Sequence, residues 1–435
     1  MKYFITYGII CFSFFTFSQQ VLTFEDVIQR TLEKNFDVII ARNNTKIAEN
    51  NNNPGAAGYI PKVGIQADQS FSSSNIKQQF LSGQSNEKNG ATNDALIATA
   101  RLDWTFFDGF AMFARDKRLQ LTEDVSRVQQ TAQMEMSIYQ AAVLFYNLQY
   151  SKRLQTVYEE AIQLSKERYE LILLKSKNGA ASEMEMIQAK LDLTSDSSAY
   201  LTHLNSIQKM KRDLAIVMGE NAELQFDVDQ TDMPKTNLQF ETVKENALEQ
   251  NTDLMLQKSQ IAIIDQQRKE LQSRYYPQLG IYAQYSVNLS HSQAGFLLSN
   301  RSLGPGVGIT LNWSILDGLS KVTSVKNNKL EKENATLRIQ KQEQTILSEV
   351  TKAWNDYEYA KRMYQLESES ILNTSEMFDI AQKSFENGAL TQFELREIQF
   401  SIIQAKNRQL MSELNVQTAI LNIALFTGNY KNMIP

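Results

Sequence analysis

The sequence predicts a mainly α-helical chain with a small membrane β-barrel portion, written as two copies of one plan. In each copy a helix leads into two strands, a long helix and a further helix. Three observations predict this. The first is duplication. Phe24-Glu25-x-Val27 returns as Phe240-Glu241-x-Val243, Asn35-x-Asp37 as Asn251-x-Asp253 and Tyr59-x-Pro61 as Tyr275-x-Pro277, each 216 residues on. Trp104-x-x-x-Asp108-Gly109 returns as Trp313-x-x-x-Asp317-Gly318, Asn178-Gly179-Ala180 as Asn387-Gly388-Ala389 and Gly219 as Gly428, each 209 residues on. The offset changes once, between Pro61 and Trp104, so the second copy is seven residues shorter in a single segment. The second observation is the absence of helix breakers over long stretches, and the third is strict alternation in four short ones.

Residues 1–18 read as a signal peptide: Lys2, an apolar run, then Thr16 and Ser18, with cleavage expected after Ser18. The single cysteine, Cys11, lies inside that run, so the mature chain needs no disulfide and offers no thiol. The first repeat is expected over 19–220, a linker over 221–239 and the second repeat over 240–435. None of the 17 glycines and 6 prolines falls in Thr23–Asn53, Phe110–Asn178 or Ala180–Met218, nor in Lys235–Tyr276, Leu319–Asn387 or Ala389–Thr427. One helix is therefore expected in each, the long ones over 110–178 and 319–387, the following ones over 180–218 and 389–427. Leu121, Val125, Val128 and Ala132, and later Leu154, Val157, Ala161 and Leu164, keep the 3-4-3 rhythm of a coiled-coil seam. A helix of that length reaches roughly 100 Å at about 1.5 Å per residue. The helices alone are equally compatible with a plain coiled coil.

The segments between the helices separate those readings. Strands are expected over 60–73, 95–104, 277–290 and 304–313. Val63, Ile65, Ala67 and Phe71 alternate with Gly64, Gln66, Asp68 and Ser70, and Leu279, Ile281, Ala283 and Val287 with Gly280, Tyr282, Gln284 and Asn288. About ten residues, apolar on one face and small or polar on the other, suit an outer-membrane barrel strand. Tyr59, Trp104, Tyr275, Tyr276 and Trp313 stand at the strand ends nearest the helices, where interfacial aromatics belong. With no further strands expected, four cannot close a barrel, and an open edge in lipid leaves backbone groups unpaired. The chain must oligomerise. The polar stretches 72–94 and 291–303 are expected as external loops.

Composition narrows the function. Net charge is −5 at pH 7 and one unit more negative without Lys2, which argues against nucleic acid as a partner. The two histidines, His203 in a helix and His291 in an external loop, make no metal cluster, and no phosphate loop or nucleophile motif is present. No enzyme activity, cofactor or metal is expected. No helix carries about 18 consecutive apolar residues.

Taken together, the duplicated helix–strand–strand–helix plan, the paired WxxxDG junctions, the paired NGA turns and the paired Gly219 and Gly428 resemble the TolC family of outer-membrane efflux proteins, over essentially the whole mature chain. The resemblance implies a homotrimer whose chains give four strands each to one twelve-stranded barrel, continued by a long periplasmic α-barrel that tapers shut. It implies an exit duct of a tripartite efflux or type I secretion system in the outer membrane, docked on a periplasmic adaptor and an inner-membrane transporter. A non-conducting periplasm-spanning tether is the rival reading. The small, polar strand face favours a water-filled lumen, and a simple pore needs no helical extension.

The resemblance also assigns residues at the helix turns. Asn178, Gly179 and Ala180, with Asn387, Gly388 and Ala389, are the adaptor-docking turns it implies. Ser182 with Glu185 and Thr391 with Glu394 have capping-box spacing, which is a complete structural reading of both acids. Glu397 lies three residues on from Glu394 and is not explained by capping. In the family two acids three apart in the second repeat ring the narrowest point; Glu394 and Glu397 fall there, and mutual repulsion in such a ring would raise their pKa values. Phe385 and Leu390 stand where relatives often carry a Tyr and some an Arg that latch the tip, so the tip is expected to be held by apolar packing or to close less tightly.

Overall fold

The computed structural model describes residues 20–230, 238–294 and 297–428. The signal-peptide assignment to residues 1–18 lies outside them, as does 231–237 of the linker. In chain order the elements are β1 (Gln20–Leu22), α1 (Phe24–Lys34), α2 (Phe36–Asn51), α3 (Pro54–Ala57), β2 (Lys62–Gln79), β3 (Ser85–Phe107), α4 (Ala111–Lys177) and α5 (Glu183–Val217). Then follow β4 (Phe226–Val228), α6 (Phe240–Gln250), α7 (Thr252–Ser273), β5 (Gln278–Ser292), β6 (Ser299–Asn312), α8 (Ser320–Glu386) and α9 (Gln392–Thr427). The long helices α4 and α8 have 67 residues each.

The single helices expected over Thr23–Asn53 and Lys235–Tyr276 are each broken. The break falls at Asn35 (φ −59°, ψ 129°) and at Asn251 (φ −61°, ψ 120°). Absence of Gly and Pro could not reveal it, because an asparagine side chain makes the break. Asn35 Oδ1 accepts from the amides of Asp37 and Val38, restarting the chain as α2, and Asn35 Nδ2 donates to Val217 O at 2.8 Å. Asn251 Nδ2 donates to Phe426 O at 3.1 Å. Each break thus receives the end of the later helix of its own repeat, and the approach is close. A Cβ on Gly219 (φ +70°) would lie 2.1 Å from Lys34 O, and one on Gly428 (φ +62°) 3.0 Å from Gln250 O. The repeated Asn and the repeated Gly are two halves of one joint.

A second repeated joint connects strands to the long helices. Asp108 Oδ1 accepts from the Met112 amide and Asp317 Oδ2 from the Lys321 amide, capping α4 and α8. Trp104 Nε1 donates to Tyr59 O at 3.0 Å and Trp313 Nε1 to Tyr275 O at 3.2 Å. In both copies, therefore, a tryptophan at a strand end is tied to the chain entering the neighbouring strand.

The four long strands form one antiparallel sheet in the order β2-β3-β5-β6. The register puts Val63, Leu102, Ala283 and Val307 in one row of the apolar face, and Lys62, Asp103, Tyr282 and Gly308 in the next row of the polar face. The expected strands were too short on the first hairpin. The stretch 72–94, expected as a loop, is mostly ladder: β2 and β3 pair out to Gln79 and Ser85, with a shift between Ser74 and Ile76. Alternation of apolar residues stops near Phe71, but backbone hydrogen bonds continue the ladder without it. His291 likewise sits in β5, opposite Asp94, rather than in a loop. The linker also holds a strand: β4 pairs in parallel with β1, making a second, two-stranded sheet that the alternation did not announce.

The chain divides into two compact units. Among the described residues, one comprises 20–41, 131–230, 238–251 and 344–428, the other 42–130, 252–294 and 297–343, so each unit draws on both repeats. The first unit holds the main core, where Leu22, Val27, Phe145, Leu148, Leu214, Met218 and Phe226 are buried together and Phe24 stacks on Tyr146. Lys152 and Lys211 both pair with Asp227 of β4 there. The second unit holds the four-stranded sheet.

Candidate gating site at the helix turns

Within the first unit, α4 and α5 form one hairpin and α8 and α9 another, and both turns have the same backbone. Ala180 N donates to Lys175 O and Ala389 N to Ser384 O, each at 2.8 Å, with Gly179 at φ +76° and Gly388 at φ +75°. Asn178, Gly179, Ala180, Asn387, Gly388 and Ala389 are all exposed.

The next helices start with the capping boxes their spacing predicts. Glu185 Oε2 accepts from the Ser182 amide at 2.7 Å and hydroxyl at 2.8 Å, and Glu394 Oε2 from the Thr391 amide at 2.8 Å and hydroxyl at 2.7 Å. Those bonds, from the backbone first and the hydroxyl second, hold both carboxyls below the usual glutamate range. In the single chain Glu394 therefore shifts opposite to the direction expected for a ring, whose repulsion needs the other chains. Glu397 makes no such bond; it is exposed and lines a groove of about 480 Å³ with Glu185, Gln188, Asp192, Gln392 and Arg396.

Phe385 and Leu390 sit in one apolar cluster that joins the two hairpins. Ile172, Ala189, Ala381, Phe385 and Leu395 are buried in it, with Leu390 packed against them, and Lys175 Nζ lies 4.8 Å from the Phe385 ring centre. Gln392 Nε2 donates to Glu185 O at 3.2 Å, a polar link between the hairpins beside that cluster.

A larger polar link was not foreseen from the sequence. Arg396 on α9 grips Asp196 on α5 with both terminal nitrogens, Nη1 at 2.8 Å and Nη2 at 2.7 Å. Ser165 Oγ on α4 also donates to Asp196, and Arg168 Nη2 donates to Asp192 at 2.6 Å. Arg168 is buried, and burial pulls its pKa down. For Arg396 burial acts the same way, but the bond and charge of Asp196, with Asp192 and Glu397, outweigh it and the net shift is up. Five residues from three helices thus bind one hairpin to the other. The available signal was weak: Asp192 and Asp196 at i,i+4, and an arginine between two acids, are common on solvated helices.

Residues 243–429 match the family model of outer membrane efflux proteins. No curated protein matches. Among solved structures, the Campylobacter jejuni CmeC outer membrane channel is similar at 16% identity, over 93% of this chain and 85% of that one, with a TM-score of 0.78. The Vibrio cholerae outer membrane protein VceC is similar at 15% identity, over 93% and 96%, with a TM-score of 0.73. The open state of the Neisseria gonorrhoeae MtrE outer membrane channel is similar at 14% identity, over 94% and 90%, with a TM-score of 0.68. The resemblance read from the repeats is thus shown, by the family model across the second repeat and by fold across nearly the whole chain.

Proposed function

We propose that this chain, which has the fold of the outer-membrane efflux channels and matches their family model across its second repeat, is the outer-membrane exit duct of a tripartite efflux or secretion system. The observation that carries the reading is the four-stranded sheet. It presents Val63, Val307 and Ile309, at 73%, 80% and 75% exposure, on one face, and ends in β2 and β6 with no further strand beside either among the described residues. Such a sheet reaches a stable state in lipid by closing with copies of itself, and three chains give twelve strands. Tyr59, Trp104, Tyr275, Tyr276 and Trp313 then mark the membrane interface nearest the helices. Cargo passes passively, and the energy is supplied by an inner-membrane transporter.

The gate in this reading is the pair of hairpin turns, with Glu394 and Glu397 from each chain ringing the opening. The NGA turns are the docking surface for a periplasmic adaptor, whose binding shifts the second hairpin away from the first. A Cβ on Gly388 meets nothing within 4 Å, so Gly388→Trp costs only the strain of its left-handed backbone at an exposed turn; the trimer should still assemble and efflux be abolished. Normal efflux would remove the turn from the docking surface. The function itself is tested by single-channel conductance of the purified oligomer in a planar bilayer. Small, cation-selective openings support a gated duct. Silence from an inserted trimer that stays silent after Arg396→Met supports the tether instead.

A further inference from the structure

We propose that the cavity formed where α4 begins and α7 ends holds the phosphate headgroup of an anionic phospholipid, whose acyl chains continue onto the apolar face of the sheet. The proposal rests on reading that face as lipid-facing. The cavity measures about 1010 Å³, and its walls include Phe110, Phe113 and Lys117 from the start of α4 and Lys269 and Tyr276 from the end of α7. Phe113 and Lys117 share one stripe of α4 with Phe110 just before its first turn, and Lys269 lies in the last turns of α7 with Tyr276 three residues beyond its end. Aromatic rings and a lysine from each side thus line one space.

The charge in that space is uncompensated. Lys117 and Lys269 are both exposed, and no carboxylate lines the cavity. Lys117 Nζ donates to the neutral Gln120 Oε1 at 3.1 Å, and Lys269 makes no ion pair among the described residues. Two ammonium groups over an aromatic floor match a phosphate attached to hydrocarbon.

The floor also runs into the apolar face of the sheet. A register shift between Thr105 and Phe107 sets Phe107 opposite Leu279, in the row that holds Leu311. The Phe107 ring meets Phe110 at 5.4 Å, and Phe110 meets Tyr276 and Phe113 at 6.3 Å each. Phe110 makes these contacts from a left-handed backbone at φ +69°. The second repeat shows that the junction does not itself demand this apparatus. Leu319, with φ +69°, stands in place of Phe110, Val322 in place of Phe113, and Asn53 of the first repeat in place of Lys269. The helix start keeps the same backbone without the aromatic floor.

The test follows thermal unfolding of the purified trimer in a neutral detergent with added phosphatidylglycerol, phosphatidylcholine or inorganic phosphate. Phosphatidylglycerol should raise the midpoint by several degrees more than phosphatidylcholine, and Lys117→Gln with Lys269→Gln should erase that difference while trimer and conductance persist. Equal shifts with both lipids, or a difference that survives the double substitution, would overturn the proposal. Inorganic phosphate reproducing the whole effect would make the cavity a free-anion site and sink the lipid assignment. Should the glutamine pair fail to assemble, Lys269→Glu on its exposed helix face gives the same reading. A chain that never inserts refutes the barrel itself, whereas one that inserts without lipid preference refutes only this site.

Discussion

The Glu394 carboxylate is turned back on the start of its own helix, bonded to the Thr391 amide and hydroxyl, while Glu397 one turn later is exposed in the groove. The two acids can therefore be separated chemically. Glutamine at the third position of a capping box still reaches the helix start, so Glu394→Gln keeps the cap and removes the charge. Glu394→Gln with Glu397→Gln should weaken block by a multivalent cation added from the periplasmic side by an order of magnitude or more without altering assembly. Unchanged block would place the constriction elsewhere. Acid gives an independent reading of the same residue. Because the folded pKa of Glu394 lies below its ordinary value, the cap contributes stability above that value, about 4.3, and loses it as pH falls through the lowered folded pKa. Protection of the first-turn amides of α9, taken relative to the intrinsic exchange rate at each pH, should fall below about pH 4. Rising protection in acid would mean that repulsion in the proposed ring outweighs the cap.

Among the elements, what matters is how firmly one helical hairpin holds the other. The apolar cluster around Phe385 does part of this, and the directional part is the grip of Arg396 on Asp196, beside Ser165, Arg168 and Asp192. Breaking a buried pair by removing one member costs about 3–5 kcal/mol. Arg396 keeps 20% side-chain exposure and Asp196 13%, so water recovers part of that cost. Arg396→Met leaves Asp196 with Ser165 as its remaining bond here. It should raise the open probability of the reconstituted channel severalfold, and Arg396→Met with Asp196→Leu should restore part of the closure by making the site apolar. An unchanged open probability would leave the Phe385 cluster as the latch. This network was illegible in the sequence for a definite reason. Capping is local and fixed by spacing three residues apart, whereas Arg396 finds Asp196 200 positions away only after two helices pack.

For the molecule as a whole, the proposed duct completes the sheet with other chains, and the two faces of its strands should respond oppositely to charge. Val307 lies on the apolar face at 80% exposure, Asn288 on the polar one. A cationic residue at the bilayer midplane of a barrel costs about 2–4 kcal/mol, and the substitution is repeated in every chain of the oligomer. Val307→Arg should sharply reduce the trimer recovered from membranes, with Asn288→Arg close to wild type. Equal recovery of both would argue that the apolar face does not meet lipid.

The sequence by itself determined the duplication, the long uninterrupted helices, the capped turns and the faces of the strands. Each of these follows from local periodicity or from residue types that act within a few positions of themselves. Tertiary structure decided why Asn35 and Gly219, or Asn251 and Gly428, occur as pairs, because a close approach between an asparagine break and a helix end exists only once the chain has come back on itself. It also decided that β2 and β3 run on past their apolar alternation, that β1 and β4 pair, and that Phe107 joins Phe110 at the cavity. Backbone ladders and long-range contacts carry no periodic signature in side chains, so only the folded chain displays them.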